Sequence, residues 1–158
     1  MAKVYLSISS NFRAQLNINS ALTALRVTFG ELEVSNVYRN LPLHKVGCHY
    51  LNLVVCFDTH FDIHKLVAEL KNIENSLGRV RGVMKIPQVS IDLDLLKYVT
   101  VDESIDVCTE ITRRSFLLSP ISEIAGHEID KNSGLNYAAL WQKFDKSIHP
   151  LEKVTLDL

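Results

Sequence analysis

The chain has 158 residues, 47% of them apolar and 22% charged, the balance of a globular domain and not of a disordered segment. With 18 acids against 17 lysines and arginines the formal charge is −1, which excludes a general basic footprint for nucleic acid but not a local anion site. Cys48, Cys56 and Cys108 are widely spaced with no CxxC, so neither a disulfide framework nor a structural zinc site is expected. The opening Met1-Ala2-Lys3-Val4-Tyr5-Leu6 holds no long apolar run, and no stretch elsewhere is apolar enough to cross a bilayer. The expectation is one cytoplasmic domain over 1–158 with no membrane or nucleic-acid partner.

Taken in chain order, residues 4–8 alternate Val4, Leu6 and Ile8 against Tyr5 and Ser7, which predicts a strand. Ser9-Ser10-Asn11 supplies turn chemistry. Ile18, Ala21, Leu22, Leu25 and Phe29 then share one helix face, and Gly30 stops that helix. Residues 32–38 are strand-like, and 40–47 form a loop around Pro42 and Gly47. Over 50–57, Leu51, Leu53, Val55 and Phe57 take one strand face, and Tyr50, Asn52, Val54 and Cys56 the other. Asp62 caps a helix whose stripe is Ile63, Leu66, Val67, Leu70, Ile73 and Leu77, with Gly78 as its stop.

A basic loop fills 79–88 and a strand 90–98. The acidic stretch from Asp102 to Glu110 reads as a solvated loop. Residues 115–121 are apolar and end near Pro120. A last helix is predicted over about 135–148, with Leu140, Trp141, Phe144 and Ile148 inward, ended by Pro150. The order strand, helix, strand, strand, helix, strand is that of an α+β, ferredoxin-like split βαβ arrangement. It implies an antiparallel sheet with helices on one face, plus an extra strand and a C-terminal helix.

Three segments carry chemistry. On the strand at 90–98, Asp92 and Asp94 point to one face about 7 Å apart, a hard-oxygen pair suited to Mg²⁺; the plainer reading is a solvated acidic face. The loop before them delivers Arg79, Arg81 and Lys85, groups that bind phosphate oxygens but also pair with ordinary surface acids. Tyr50 and Asn52 share a strand face, where a ring beside a carboxamide can recognise a flat heterocycle by stacking and paired hydrogen bonds.

Together these segments resemble the 6-hydroxymethyl-7,8-dihydropterin pyrophosphokinases of folate synthesis. The resemblance runs from Val4 to about Glu123 and includes the C-terminal helix. It is carried by Val4-Tyr5-Leu6-Ser7-Ile8-Ser9-Ser10-Asn11, Val37-Tyr38-Arg39-Asn40-Leu41-Pro42-Leu43 and Tyr50-Leu51-Asn52. It continues through Ile73-Glu74, Gly78-Arg79-Val80-Arg81, Asp92-Leu93-Asp94-Leu95-Leu96 and Arg114-Ser115-Phe116-Leu117-Leu118, with Pro120 and Glu123.

The resemblance implies transfer of pyrophosphate from ATP to the pterin hydroxymethyl oxygen, with release of AMP. It implies that Asp92 and Asp94 hold two Mg²⁺ ions, that Tyr50 and Phe116 sandwich the pterin, and that Asn52 bonds its edge. Asn40 and Leu43 would belong to a loop with backbone contacts to the pterin. Glu74, Arg81 and Leu95 match positions on the nucleotide side, and Arg114 approaches the reacting groups. Lys85 keeps a cation in the catalytic loop. The partners implied are the pterin and ATP, with the chain a monomer or homodimer.

The chain departs from the family pattern in three places. Where the family carries Arg-Trp-Gly-Pro-Arg, this chain has Lys85-Ile86-Pro87-Gln88-Val89, so one Trp and one Arg are missing. Near Val107-Cys108-Thr109-Glu110 there is no match for the family's ATP-contacting His. Ser9 stands at the usual Gly of the first strand–helix turn, which suits Ser only if φ is negative. These losses leave two readings: an active, divergent pyrophosphokinase, and a degenerate homologue that binds a pterin-like ligand or a protein partner without catalysis. His60 and His64 have metal-ligand spacing but read more simply as a loop residue and a solvated helix residue. Cys48 beside His49 lacks a third, orienting group.

Overall fold

The computed structural model describes residues 1–40, 49–78 and 90–156. Leu43, Arg79, Arg81, Lys85 and Val89 lie outside the described residues. The first alternating segment is strand β1 (Ala2–Ser10), followed by helix α1 (Ala14–Phe29). The apolar stripe of α1 is inward as its spacing requires, with Ile18, Ala21, Leu22 and Leu25 buried. Phe29 stacks on Phe57 at 4.4 Å between ring centroids. Gly30, at φ 90°, ends the helix in a conformation that costs other residues steric strain.

The strand-like stretch after α1 divides into β2 (Glu33–Val34) and β3 (Val37–Asn40). Strand β4 (Tyr50–Thr59) follows, then α2 (Ile63–Ser76). Asp62 caps α2 as predicted, accepting from the Lys65 N–H at 2.8 Å. Strand β5 (Asp92–Val99) carries the acid pair, and β6 (Ser104–Asp106) pairs with its far end. After a 3₁₀ turn (Ile111–Arg113) come α3 (Ser115–Ala125), α4 (Tyr137–Lys143) and β7 (Glu152–Val154).

The strands form one antiparallel sheet in the order β6-β5-β1-β4-β3-β7, with β2 paired to β4. Because β1 and β3 each run antiparallel to β4, they are parallel to one another with β4 inserted between them. That is the split βαβ arrangement of a ferredoxin-like α+β fold. On one face, Val4, Leu6, Ile8, Leu53, Val55, Leu93 and Leu95 pack against the stripes of α1 and α2. Burying each leucine completely stabilises the fold by about 1.5–3 kcal/mol before the entropy of ordering is counted.

The opposite face has its own cover. Tyr5, Val54, Cys56 and Leu96 pack against Leu117, Leu118, Ile121 and Ala125 of α3, and against Tyr137 of α4. So the apolar run at 115–121 is a full helix that continues through Pro120, at the cost of one backbone hydrogen bond. The C-terminal helix is shorter than its periodicity suggests. Asn136 caps its start, but Asp145 accepts from the Ser147 N–H and hydroxyl at 3.0 and 2.6 Å and forms a turn instead. Ile148, expected inward, is 53% exposed as a result.

The acidic stretch is likewise not wholly a solvated loop. β6 brings Asp106 within 3.0 Å of the Lys97 ammonium, which is completely buried. A register shift makes this possible. Tyr5 pairs with Lys97 and Leu6 with Leu95, leaving Leu96 as an extra residue. At this bulge Leu96 enters the second core, and Lys97 bonds the Ile129 carbonyl at 2.8 Å and the Tyr137 hydroxyl at 3.3 Å.

Candidate active site

Residues opposite one another on neighbouring strands share a face of the sheet. Ser9 on central β1 is opposite Asn52 on β4 and opposite Asp92 on β5. Two residues back, Ser7 is opposite Val54 and Asp94. Tyr50 precedes Asn52 by two and takes the same face, which is the face α3 and α4 cover at its other end. The fold thus brings the acid pair and the Tyr-Asn pair to one polar end of one face, with Cα atoms of Asn52 and Asp92 about 10 Å apart across three strands.

The two acids differ from the apolar residues around them. Leu93 and Leu95 are in the first core, whereas Asp92 is half-buried and Asp94 exposed. Such a pair can approach a cation without a large desolvation cost. Among the described residues no group of three or more His, Cys, Asp or Glu side chains gathers at one point. The donor set still fits Mg²⁺, which takes one or two carboxylates and completes its shell with water and substrate phosphates.

Asn52 is 2% exposed, and its carboxamide is held from both sides. Its Oδ1 accepts from the Ser9 hydroxyl at 2.8 Å, and its Nδ2 donates to Oδ1 of Asn40, at the end of β3. Asn40 is opposite Tyr50 and is itself buried. The side chain of Asn40 therefore joins the candidate site, where the resemblance implies only backbone contacts from its loop. In the sequence Ser9 stands out only as turn chemistry and as a substituted glycine, whereas in the structure it remains within β1. Its link to Asn52 depends on the β1–β4 register, which no local motif encodes. Arg13 is the one non-glycine described at positive φ, so the backbone at Ser9 poses no obstacle to a side chain.

The remaining expected residues take varied places. Phe116 is half-buried in the first turn of α3 and packs on the second core. Helix α3 is tied to β3 by Glu123, which accepts from the Asn36 N–H at 3.0 Å, from its Nδ2 at 2.9 Å, and from the Tyr38 hydroxyl. Burial, and then that bond to Glu123, holds the Tyr38 phenol above its ordinary pKa. Arg114, just before α3, is partly exposed and lies 3.3 Å from Glu110, which also reaches Arg113 at 3.6 Å. The Glu110 side chain thus points at Arg114.

Glu74 is buried, and its Oε2 accepts from the Leu93 N–H at 2.7 Å, fastening α2 to the strand that bears the acids. The Leu95 side chain is in the first core, so a ligand contact there would come from its backbone. His60 and His64 are both exposed. Burial pushes the Cys56 thiol up to about 11 and also raises that of Cys108, the opposite of what a nucleophilic cysteine needs.

Among the described residues no helix is long and apolar enough to cross a membrane. Several known proteins are similar to this chain in sequence or in architecture. A mitochondrial folate synthesis bifunctional protein of Pisum sativum is 30% identical over 89% of this chain and 30% of its own length. A 2-amino-4-hydroxy-6-hydroxymethyldihydropteridine pyrophosphokinase of Haemophilus influenzae is 28% identical over 84% of this chain and 88% of its own. The chain spans less than a third of the length of the bifunctional relatives it matches. A crystal structure of an HPPK-DHPS in complex with substrates superposes with a TM-score of 0.73 at 10% identity, covering 93% of this chain and 46% of that one, and so shares the fold. The sequence profile of the HPPK family matches residues 5–126, and the chain belongs to the 7,8-dihydro-6-hydroxymethylpterin-pyrophosphokinase family.

Proposed function

We propose that this chain transfers pyrophosphate from ATP to 6-hydroxymethyl-7,8-dihydropterin. The pterin hydroxymethyl oxygen forms a bond to the β-phosphorus. The bond from that phosphorus to the oxygen bridging the α-phosphate breaks, AMP leaves with that oxygen, and the hydroxyl proton is lost to solvent. The observation that carries this reading is the cross-strand row Asn52–Ser9–Asp92, which sets a heterocycle-reading amide beside the acid pair on one face.

Asp92 and Asp94 would hold Mg²⁺, which when bound neutralises phosphate charge during the transfer. Asn52 and Asn40 bond the pterin edge, while Tyr50 and Phe116 bracket its ring. Arg114 draws charge from the transferring group, a task in which Arg81 and Lys85 share by their position in the chain. Glu74 and Leu95 support the nucleotide side. The chemistry asked of the protein is positioning and electrostatic stabilisation, as in other phosphoryl transfers. The working form this reading assigns is a single domain, monomeric or homodimeric, in the cytoplasm.

Release of AMP from ATP and the pterin, followed in the presence of Mg²⁺, tests the reading. Asp94→Ala should abolish it while the circular dichroism spectrum and melting temperature hold. AMP release at the unsubstituted rate would remove the assigned role of the acid pair. A wild-type chain that binds neither pterin nor nucleotide would remove the function itself.

A further inference from the structure

Ser9 has no part in the reaction as drawn above, yet it stands at the centre of the site. We propose that Ser9 is a positioning residue that anchors the buried carboxamide of Asn52 and so holds its remaining donor and acceptor in place for the ligand. The inference rests on the pterin-binding reading and deepens it. The distinguishing observation is the 2.8 Å bond from the Ser9 hydroxyl to Asn52 Oδ1, at a carboxamide only 2% exposed.

A primary amide has two N–H donors and two acceptor lone pairs. Its oxygen and nitrogen ends are nearly the same size, and the terminal torsion of Asn is broad and roughly two-fold. Shape alone therefore does not hold the amide in place, and hydrogen-bond partners must. In this site Ser9 receives the oxygen end, and Asn40 Oδ1 receives one N–H from the nitrogen end. The oxygen faces β1 and the nitrogen faces β3, with one donor and one lone pair beyond these two bonds to meet a ligand.

A heterocycle whose edge carries a carbonyl beside an N–H is read by the order of those two groups. An amide anchored in place can meet both groups at once. Anchoring the amide in advance spares the ligand the cost of immobilising it on arrival. Ser9 is well placed for this role, being held in the middle strand by pairing on both sides.

The test is isothermal titration of 6-hydroxymethylpterin, and separately of a non-hydrolysable ATP analogue with Mg²⁺, into wild type, Ser9→Ala and Ser9→Thr. Ser9→Ala should weaken pterin binding about tenfold, the scale of one neutral hydrogen bond, and leave nucleotide affinity within about twofold. Ser9→Thr, which keeps the hydroxyl, should restore pterin affinity. Equal pterin affinity in wild type and Ser9→Ala would overturn the inference and leave the function standing. Parallel loss of both ligands, unrescued by Thr, would overturn it in favour of a general structural role. Failure of the wild type to bind pterin would sink the underlying reading, and the inference with it.

Discussion

The two faces of the sheet are built from the same strands by different rules. The face under α1 and α2 is apolar, and on β1 and β4 its residues follow strict alternation. The face under α3 and α4 is apolar only at one end. At the other it carries Ser7, Ser9, Asn52, Asp92 and Asp94 on three adjacent strands. One face supplies cohesion and can be substituted volume for volume. The other must place individual polar atoms, and even its apolar end contains a buried ammonium.

That ammonium gives the sharpest way to break the comparison by stability. Asp106→Ala should destabilise the fold by about 3–5 kcal/mol in urea unfolding, because Lys97 would keep a buried charge without its carboxylate. Lys97→Met should cost less, since the Asp106 it leaves without a cation is partly exposed whereas Lys97 is completely buried. If Asp106→Ala were neutral, the second face would be as forgiving as the first.

Next in size is the ligand end. Asn52→Ala should weaken pterin binding by about 1–3 kcal/mol in titration calorimetry with little change in nucleotide affinity. An unchanged affinity would detach Asn52 from recognition. The pH dependence of stability should also separate the faces. The Cys56 thiol is raised from 9.0 to about 11 by burial on the second face. Between those values the unfolded chain releases a proton that the native chain keeps, so this group makes stability fall as pH rises from about 9 to about 11. Cys56→Ala should flatten that decline in alkaline urea titrations, and an unaltered slope would assign the decline elsewhere.

The smallest effect concerns Glu110. Its pairing with the partly exposed Arg114 is worth at most about 1 kcal/mol. Glu110→Gln should therefore tighten the non-hydrolysable ATP analogue only a few-fold, and less at high salt. Weaker nucleotide binding would mean that Glu110 orients Arg114 for its task.

The first face was legible in the sequence because periodicity is a local property. Leu51 to Phe57 alternate, Ile18 to Leu25 recur at helical spacing, and Asp62 sits where a cap belongs. The acid pair was legible for the same reason, being two residues on one strand. What escaped was non-local. The extra residue Leu96 exists only as a mismatch between β1 and β5, so the burial of Lys97 and the strand at Ser104–Asp106 could not be read in advance. The end of α4 was misplaced because Asp145 turns the chain where apolar spacing alone would carry the helix on. The link from Ser9 to Asn52 spans 43 positions and follows only from the register of β1 against β4.

The contact of Glu74 with the Leu93 N–H has one more consequence. Beyond the pairing of Val99, Tyr98 and Lys97 with β6, the outer side of β5 has no strand neighbour among the described residues. A strand margin without a strand neighbour is a template on which another chain can add itself. A carboxyl oxygen already seated on the Leu93 N–H removes one rung from that template. Glu74 thus fastens α2 to the strand that carries the acids and also occupies a donor that a second molecule would need. Its loss should show as concentration-dependent association in light scattering.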